Sequence, residues 1–273
     1  MRQPAAFEIA PDFRPCYAWA MPPAGPSYFS TLPPFRALFE TGKPCLTYHK
    51  LGPRPRGVRL KGLYVGAKLF ERQLSELRRA GFSTAGVEAL AGQDGNANKQ
   101  LALTFDDGFA NVLRHGLEPL ARHGFRAIEY LVAERLGGTN DWDAPDGEVQ
   151  ERLMDTAQVR DWLAAGHGIG SHTLTHPHLT RISPQRAKEE IFASRKKLED
   201  LFGVPVRHFC HPYGDWNAAV RDLVIAAGYE TACTTEFGVN GAGTSPFELR
   251  RITARHRSIS LKALRARFTP AKR

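Results

Sequence analysis

Short apolar runs alternate with amphipathic stretches from Cys45 nearly to the end of the chain. The runs Cys45 to His49, Leu101 to Phe105, Ala127 to Val132, His167 to Gly170, Val206 to Cys210, Thr231 to Thr234 and Arg251 to Thr253 read as buried strands. Between them, apolar residues recur at helical spacing. Leu69, Phe70, Leu74 and Leu77 precede Gly81, the stretch Val112 to His123 precedes Gly124, and Val159, Trp162 and Leu163 precede Gly166. Each glycine stands where a helix C-cap is expected. Ser183-Pro184 gives an N-cap followed by a first-turn proline, Ile191, Leu198 and Leu201 mark an inner face, and Gly203 stops that helix. Further helices are expected over Trp216 to Ala227 and Leu261 to Phe268. Strand and helix in strict alternation require parallel pairing through right-handed crossovers. The pattern therefore predicts an α/β fold, and periodicity alone leaves barrel and open sheet equal.

Candidate chemistry falls at the ends of two of these strands. Thr104-Phe105-Asp106-Asp107-Gly108 closes one, and His172-Thr173-Leu174-Thr175-His176 follows another. Two histidines at i and i+4 share a face of a helical turn, so that both rings reach one ion. One carboxylate and two imidazoles suffice to hold a divalent metal with positions left for water. His49, at the end of the first strand, faces the same mouth in this pattern, with substrate contact as its functional reading. Trp142 and Asp143 lie in a polar, Gly-rich insertion from Gly137 to Glu148, placed to cover a cleft.

Thr-Phe-Asp-Asp-Gly followed by Ser-His-Thr-x-x-His resembles the first two signature motifs of the polysaccharide deacetylase family, the NodB-homology domain. Phe209-Cys210-His211-Pro212-Tyr213-Gly214 stands where the third is expected. The resemblance runs from about Pro44 to Phe268 and implies an irregular β/α barrel with fewer than eight units. It implies Asp107, His172 and His176 as metal ligands and Asp106 as the catalytic base. Thr173 would hold the ligand loop, and Pro212 and Tyr213 would form an oxyanion site and a cleft wall. The cofactor is then a divalent metal, zinc first, with cobalt or another transition metal as alternatives. The implied activity is metal-dependent removal of N-acetyl groups from an amino sugar in a glycan or glycan precursor. O-acetyl ester or other amide hydrolysis on the same site, and a non-catalytic glycan-binding barrel, stand as the alternatives.

Two features depart from the family pattern. The third motif lacks the arginine that orients the catalytic aspartate, and Cys210 or His211 occupies its region, with His211 able in principle to hydrogen-bond Asp106. The late Leu-x-His motif is absent, which leaves His256 as the nearest histidine for the general acid.

Composition narrows the setting. With 273 residues there is room for one barrel (44–273) and a proline-rich, irregular N-terminal extension (1–43) carrying Phe13, Tyr17, Trp19, Tyr28, Phe29 and Phe35 as apolar anchors. Cys16, Cys45, Cys210 and Cys233 show no Cys-x-x-Cys spacing, so buried thiols are expected rather than a disulfide framework. A net charge of +9 admits nucleic acid, anionic lipid or an acidic polymer as partners. No aromatic-basic platform accompanies the charge, which disfavours nucleic acid and leaves an acidic glycan or peripheral contact with anionic lipid. No apolar stretch reaches membrane-spanning length and the N-terminus lacks a secretory pattern, so a cytoplasmic location is the expectation.

Overall fold

A computed structural model describes residues 36–92 and 95–254. Helix α1 (Arg36–Thr41) leads into strand β1 (Cys45–Tyr48), and two short strands, β2 (Lys50–Leu51) and β3 (Tyr64–Val65), pair with each other beside it. Then follow α2 (Ala67–Arg79), β4 (Ser83–Thr84), β5 (Gln100–Asp107), α3 (Ala110–His123), β6 (Ile128–Leu131), α4 (Thr156–Ala164), β7 (Gly168–Ser171) and α5 (Pro184–Phe202). The described chain closes with β8 (His208–Cys210), α6 (Ala218–Ala226), β9 (Thr231–Phe237) and β10 (Leu249–Thr253). The helix expected at Leu261 to Phe268 and most of the N-terminal extension lie outside the described residues.

All strand pairs in the main sheet are parallel. Its order is β1-β10-β9-β8-β7-β6-β5, and β1 also pairs with β5, so seven strands close a barrel while β4 flanks β5 outside it. This is the irregular, fewer-than-eight-unit barrel that the resemblance implied. Every expected strand is present to within a few residues. Strand burial on both faces explains why their sequences are apolar runs rather than alternations.

Two apolar layers result. Phe70, Leu74 and Leu77 of α2, Val112 and Leu120 of α3, and Ile191 and Leu198 of α5 pack between helices and barrel wall. Inside the barrel, Cys45, Tyr130, Cys210, Cys233 and Leu249 form a smaller cluster. The three cysteines are buried and free, as expected. A side chain at Gly170 would place its Cβ 2.5 Å from the Tyr130 ring and 2.8 Å from the His208 carbonyl, so only glycine lets Tyr130 fill the narrow interior. Among the described residues no helix is long and apolar enough to cross a membrane.

At the opposite end from the candidate site, His167 stacks on Trp162 at 4.2 Å and its Nδ1 accepts the Ala127 N–H at 3.2 Å. Burial, helped by the Arg126 charge, pushes its pKa down to about 4. The unfolded chain takes up this proton near pH 6.5 and the native protein only near 4, so stability should fall as pH drops through that window. Thermal unfolding at pH 7.5 and pH 5 should show a smaller loss in His167→Gln than in the parent, and equal losses would refute the assignment.

Candidate active site

Strand β5 ends in two aspartates because the chain turns sharply there. Asp107 has φ 79° and Gly108 φ 83°, consecutive left-handed residues that swing the backbone away from the mouth and leave both carboxylates on it. An aspartate in this region carries a backbone cost of about 1–2 kcal/mol, so neighbours must hold it. They do so at Gly108, whose N–H donates to the buried Glu129 Oε1 on β6 at 2.9 Å and whose carbonyl accepts the Met154 N–H at 2.7 Å. Burial first, then the nearby Asp106 charge, pushes the Glu129 carboxyl well above the usual range.

His172 and His176 meet by a different route from the expected helical turn. Both lie in the loop after β7, where Thr173 (φ 70°) and His176 (φ 65°) are left-handed. Thr173 Oγ1 accepts the His176 N–H at 3.0 Å, and the Leu174 and Thr175 N–H groups both donate to Glu190 Oε2 of α5 at 2.8 and 2.9 Å. The Thr175 hydroxyl donates to Glu190 Oε1 at 2.6 Å, and Arg186 Nη2 binds that oxygen at 2.7 Å. Glu190 is fully buried and was missed by sequence reasoning, since a glutamate on a helix reads as solvated surface. Glu190→Ala should strand the buried Leu174 amide and the half-buried Thr175 amide and cost about 3 kcal/mol, with metal affinity falling roughly ten- to a hundredfold. Denaturant unfolding and a competitive metal titration read the two effects separately; unchanged metal affinity would show that the loop holds itself.

Three ligand-type atoms converge. Asp107 Oδ1 lies 3.4 Å from His172 Nε2 and 3.3 Å from His176 Nε2. Donors about 2.0–2.1 Å from a tetrahedral ion stand about 3.3–3.4 Å apart, so these two edges match the ligand spacing of a divalent metal, and all three donor atoms lie within 4.8 Å of one another. His172 Nδ1 lies 2.7 Å from the Cys210 carbonyl; a proton there fixes the ring and leaves Nε2 its lone pair. Burial pushes the Asp107 carboxyl up, but the neighbouring His172 and His176 imidazoles outweigh it and hold the group well below the usual range. Burial lowers the His176 imidazole, which favours the neutral, ligating form. Asp106, His172 and Cys210 also bring donor atoms together, but Arg251 already engages both Asp106 and Cys210 there.

The absent third-motif arginine is replaced from another strand. Arg251 of β10 is buried and grips Asp106 with Nη1–Oδ1 at 2.7 Å and Nη2–Oδ2 at 2.8 Å. Its remaining donors reach Thr47 Oγ1, the Thr234 carbonyl and Cys210 Sγ at 2.9, 2.8 and 3.1 Å. Burial raises the Asp106 pKa, but the Arg251 charge and then His49 overcome it, so the carboxylate sits below its ordinary range. The available signal was an arginine next to Ile252 in a short strand, Leu249-Arg250-Arg251-Ile252-Thr253, but the adjacent Arg250 makes the pair read as surface charge.

His211 does not take this role. It is buried, packs on Phe209 and Trp216, and among the described residues neither ring nitrogen has a partner. Burial drives its pKa down to about 3. His49 does reach the site, with Nε2 3.7 Å from Asp106 Oδ2 and its side chain 21% exposed. His256 lies outside the described residues. Pro212 starts a tight turn in which Tyr213 takes φ 60°, and the exposed Tyr213 ring stacks on His178 at 3.9 Å and meets His176 edge-on at 4.5 Å. Trp142 covers the other side of His176, stacked at 4.5 Å. Asp143 is instead turned inward and accepts from Asn140 Nδ2 at 2.9 Å.

The sequence profile described as polysaccharide deacetylase matches residues 93–232, half of the chain, including both aspartates and both histidines. The chain belongs to the polysaccharide deacetylase family. It is 23% identical to YxkH of Bacillus subtilis over 213 residues, covering 77% of this chain and 70% of that protein. It is 26% identical to the peptidoglycan-N-acetylglucosamine deacetylase PgdA of Listeria monocytogenes over 173 residues, 63% of this chain and 32% of PgdA, so it spans only about a third of that relative. In fold it is similar to the Streptococcus pyogenes deacetylase PplD, with a TM-score of 0.68 at 21% identity, covering 85% of this chain and 100% of that one.

Proposed function

We propose that this polysaccharide deacetylase is a metal-dependent hydrolase that removes N-acetyl groups from an amino sugar in a glycan or glycan precursor. The observation that carries the reading is the Asp107–His172–His176 triangle at metal-ligand spacing, with an unligated, arginine-held Asp106 beside it. The name of PgdA and the chitooligosaccharide deacetylase of Bradyrhizobium, 26% identical over half of this chain, support N-acetylglucosamine units as substrate.

Asp107, His172 and His176 would hold the ion. With a divalent metal such as zinc held there, the site would have a Lewis acid for the acetamide carbonyl and for the attacking water. Asp106 accepts the proton of the attacking water at its carboxylate, which Arg251 keeps ionised and aimed at the mouth. The Tyr213 backbone N–H, at the left-handed turn, would donate to the developing oxyanion. Tyr213, His178 and Trp142 supply flat aromatic faces for the sugar ring. We assign protonation of the leaving amine to His49, whose Nε2 lies 3.7 Å from Asp106 Oδ2 and whose side chain is 21% exposed.

Burial lowers the His49 pKa against the pull of Asp106, so its protonated fraction falls with rising pH. His49→Gln should lower kcat by about 10²–10⁴ and remove the alkaline decline of the rate profile. A variant with the full rate and the same limb would place the acid elsewhere, with His256 next. Acetate release from a panel of N-acetylated oligosaccharides, O-acetylated sugars and small acetamides tests the function itself. Release from the N-acetylated oligosaccharides is expected. Release from O-acetyl esters or small acetamides alone would contradict it.

A further inference from the structure

Outside the catalytic mouth lies a groove of about 500 Å³ between the segment after β1 and the start of α3, lined by Leu51, Pro53, Arg114, His115, Glu151 and Arg152. The geometry points to this groove as a binding site for an anionic substituent, a carboxylate or phosphate, carried by the glycan substrate. The inference rests on the deacetylase reading above.

Three observations converge. The first is the state of the cations. Arg122, Arg186 and Arg195 on the helix surfaces are each paired with glutamates. Arg114 is exposed and, among the described residues, neither it nor His115 has a hydrogen-bond or ion-pair partner. Arg152 is exposed too, and its recorded hydrogen bond goes to the Gly137 carbonyl, which leaves its charge uncompensated.

The second is that the groove's own acid is already neutralised. Lys50 is fully buried between Tyr64 and Phe109, its Nζ 3.4 Å from Glu151 Oε1. Asn111 Nδ2 donates to Glu151 Oε2 at 3.2 Å, and the Tyr64 hydroxyl also binds Glu151. Glu151 therefore faces inward to Lys50 and does not cancel Arg114 and Arg152. A buried lysine is costly to keep without such a partner.

The third is position. One wall, Leu51 to Pro53, continues the chain from His49, and the floor begins at Ala110, three residues after Asp107. At the reach of an extended chain, Leu51 lies within about 7 Å of His49 and Ala110 within about 11 Å of Asp107. The groove therefore lies within the span of a short oligosaccharide from the metal ligands. Arg114 and Arg152 both line the groove, and an arginine gives an anion charge-assisted hydrogen bonds that a neutral hydroxyl cannot match.

The test uses the full chain and the double variant Arg114→Gln/Arg152→Gln, both exposed positions outside the catalytic residues. Substrates are neutral N-acetylchitotetraose and tetrasaccharides of the same length bearing either one carboxylate or one phosphomonoester. The variant should raise KM for at least one charged substrate about fivefold, with kcat unchanged and neutral turnover within twofold. The parent's preference for the charged substrate should weaken with added salt. The carboxylate and phosphate arms identify which anion is read. Direct calorimetric binding of the three oligosaccharides to the Asp106→Asn protein keeps the proposal testable if turnover is not seen. Absence of turnover would count against the deacetylase reading, whereas equal affinity for charged and neutral ligands would overturn this one. Loss of binding to anionic phospholipid vesicles with unchanged oligosaccharide affinity would also overturn it, in favour of a membrane surface.

Discussion

Arg251→Ala is expected to lower stability by about 3–5 kcal/mol and acetate release by at least about a hundredfold. The substitution leaves Asp106 buried, 2% exposed, without the two-pronged partner that offsets its desolvation. Sign matters here. With Arg251 present the Asp106 pKa lies below its unfolded value, so the pair stabilises the fold above that value and the contribution is lost as pH falls through the folded one. Without Arg251, burial pushes the Asp106 pKa upward, and the acid limb of the rate profile should move to higher pH. Arg251→Lys keeps the charge but loses the fork and should recover only part of the rate. Thermal unfolding and acetate release on Arg251→Ala, Arg251→Lys and the double variant Asp106→Asn/Arg251→Met separate folding from chemistry. The double variant should regain most of the stability and none of the activity. A fully active Arg251→Ala protein would remove Arg251 from the account.

His172→Ala and His176→Ala should each lose metal and acetate release together, the rate falling to background, while Asp106→Asn keeps metal and still loses activity. The reason is geometric. Two imidazoles and Asp107 form the ligand triangle at 3.3 and 3.4 Å, whereas Asp106 is turned to Arg251 and His49. An Asp107 oxygen that ligates a metal has committed its lone pair, whereas Asp106 is unligated and its two hydrogen bonds from Arg251 leave further lone pairs for the proton. Each variant should be checked for the native fold by circular dichroism. Metal retained at the parent's affinity in His176→Ala would contradict the ligand assignment.

Most of the barrel was legible in the chain because parallel strands buried on both faces leave continuous apolar runs, and their helices stop at glycines such as Gly124 and Gly203, both at φ 68°. The gathering of Asp107, His172 and His176 at one point was legible from motif and spacing, and the route by which they meet was not. His172 and His176 meet through left-handed residues and a Glu190 clamp, and i, i+4 spacing on a helix plays no part. Loop conformation of that kind depends on partners distant in sequence, which periodicity does not report. Arg251 was hidden for the same reason. It is separated from Asp106 by 145 residues, and only closure of β10 against β1 brings it under the aspartate. Cys210 stands at the motif position expected for the arginine, and the guanidinium that reaches both it and Asp106 comes from β10.

The central claim is that this site hydrolyses an N-acetyl group with the help of a bound divalent ion. Metal content and acetate release should therefore be measured on one preparation of the full chain, first as purified, then after exhaustive chelation, then after stepwise return of zinc. Release from N-acetylchitotetraose should disappear with the metal and return in proportion to occupancy, reaching its maximum near one ion per chain. Acetate release at the original rate from metal-free protein would contradict the claim.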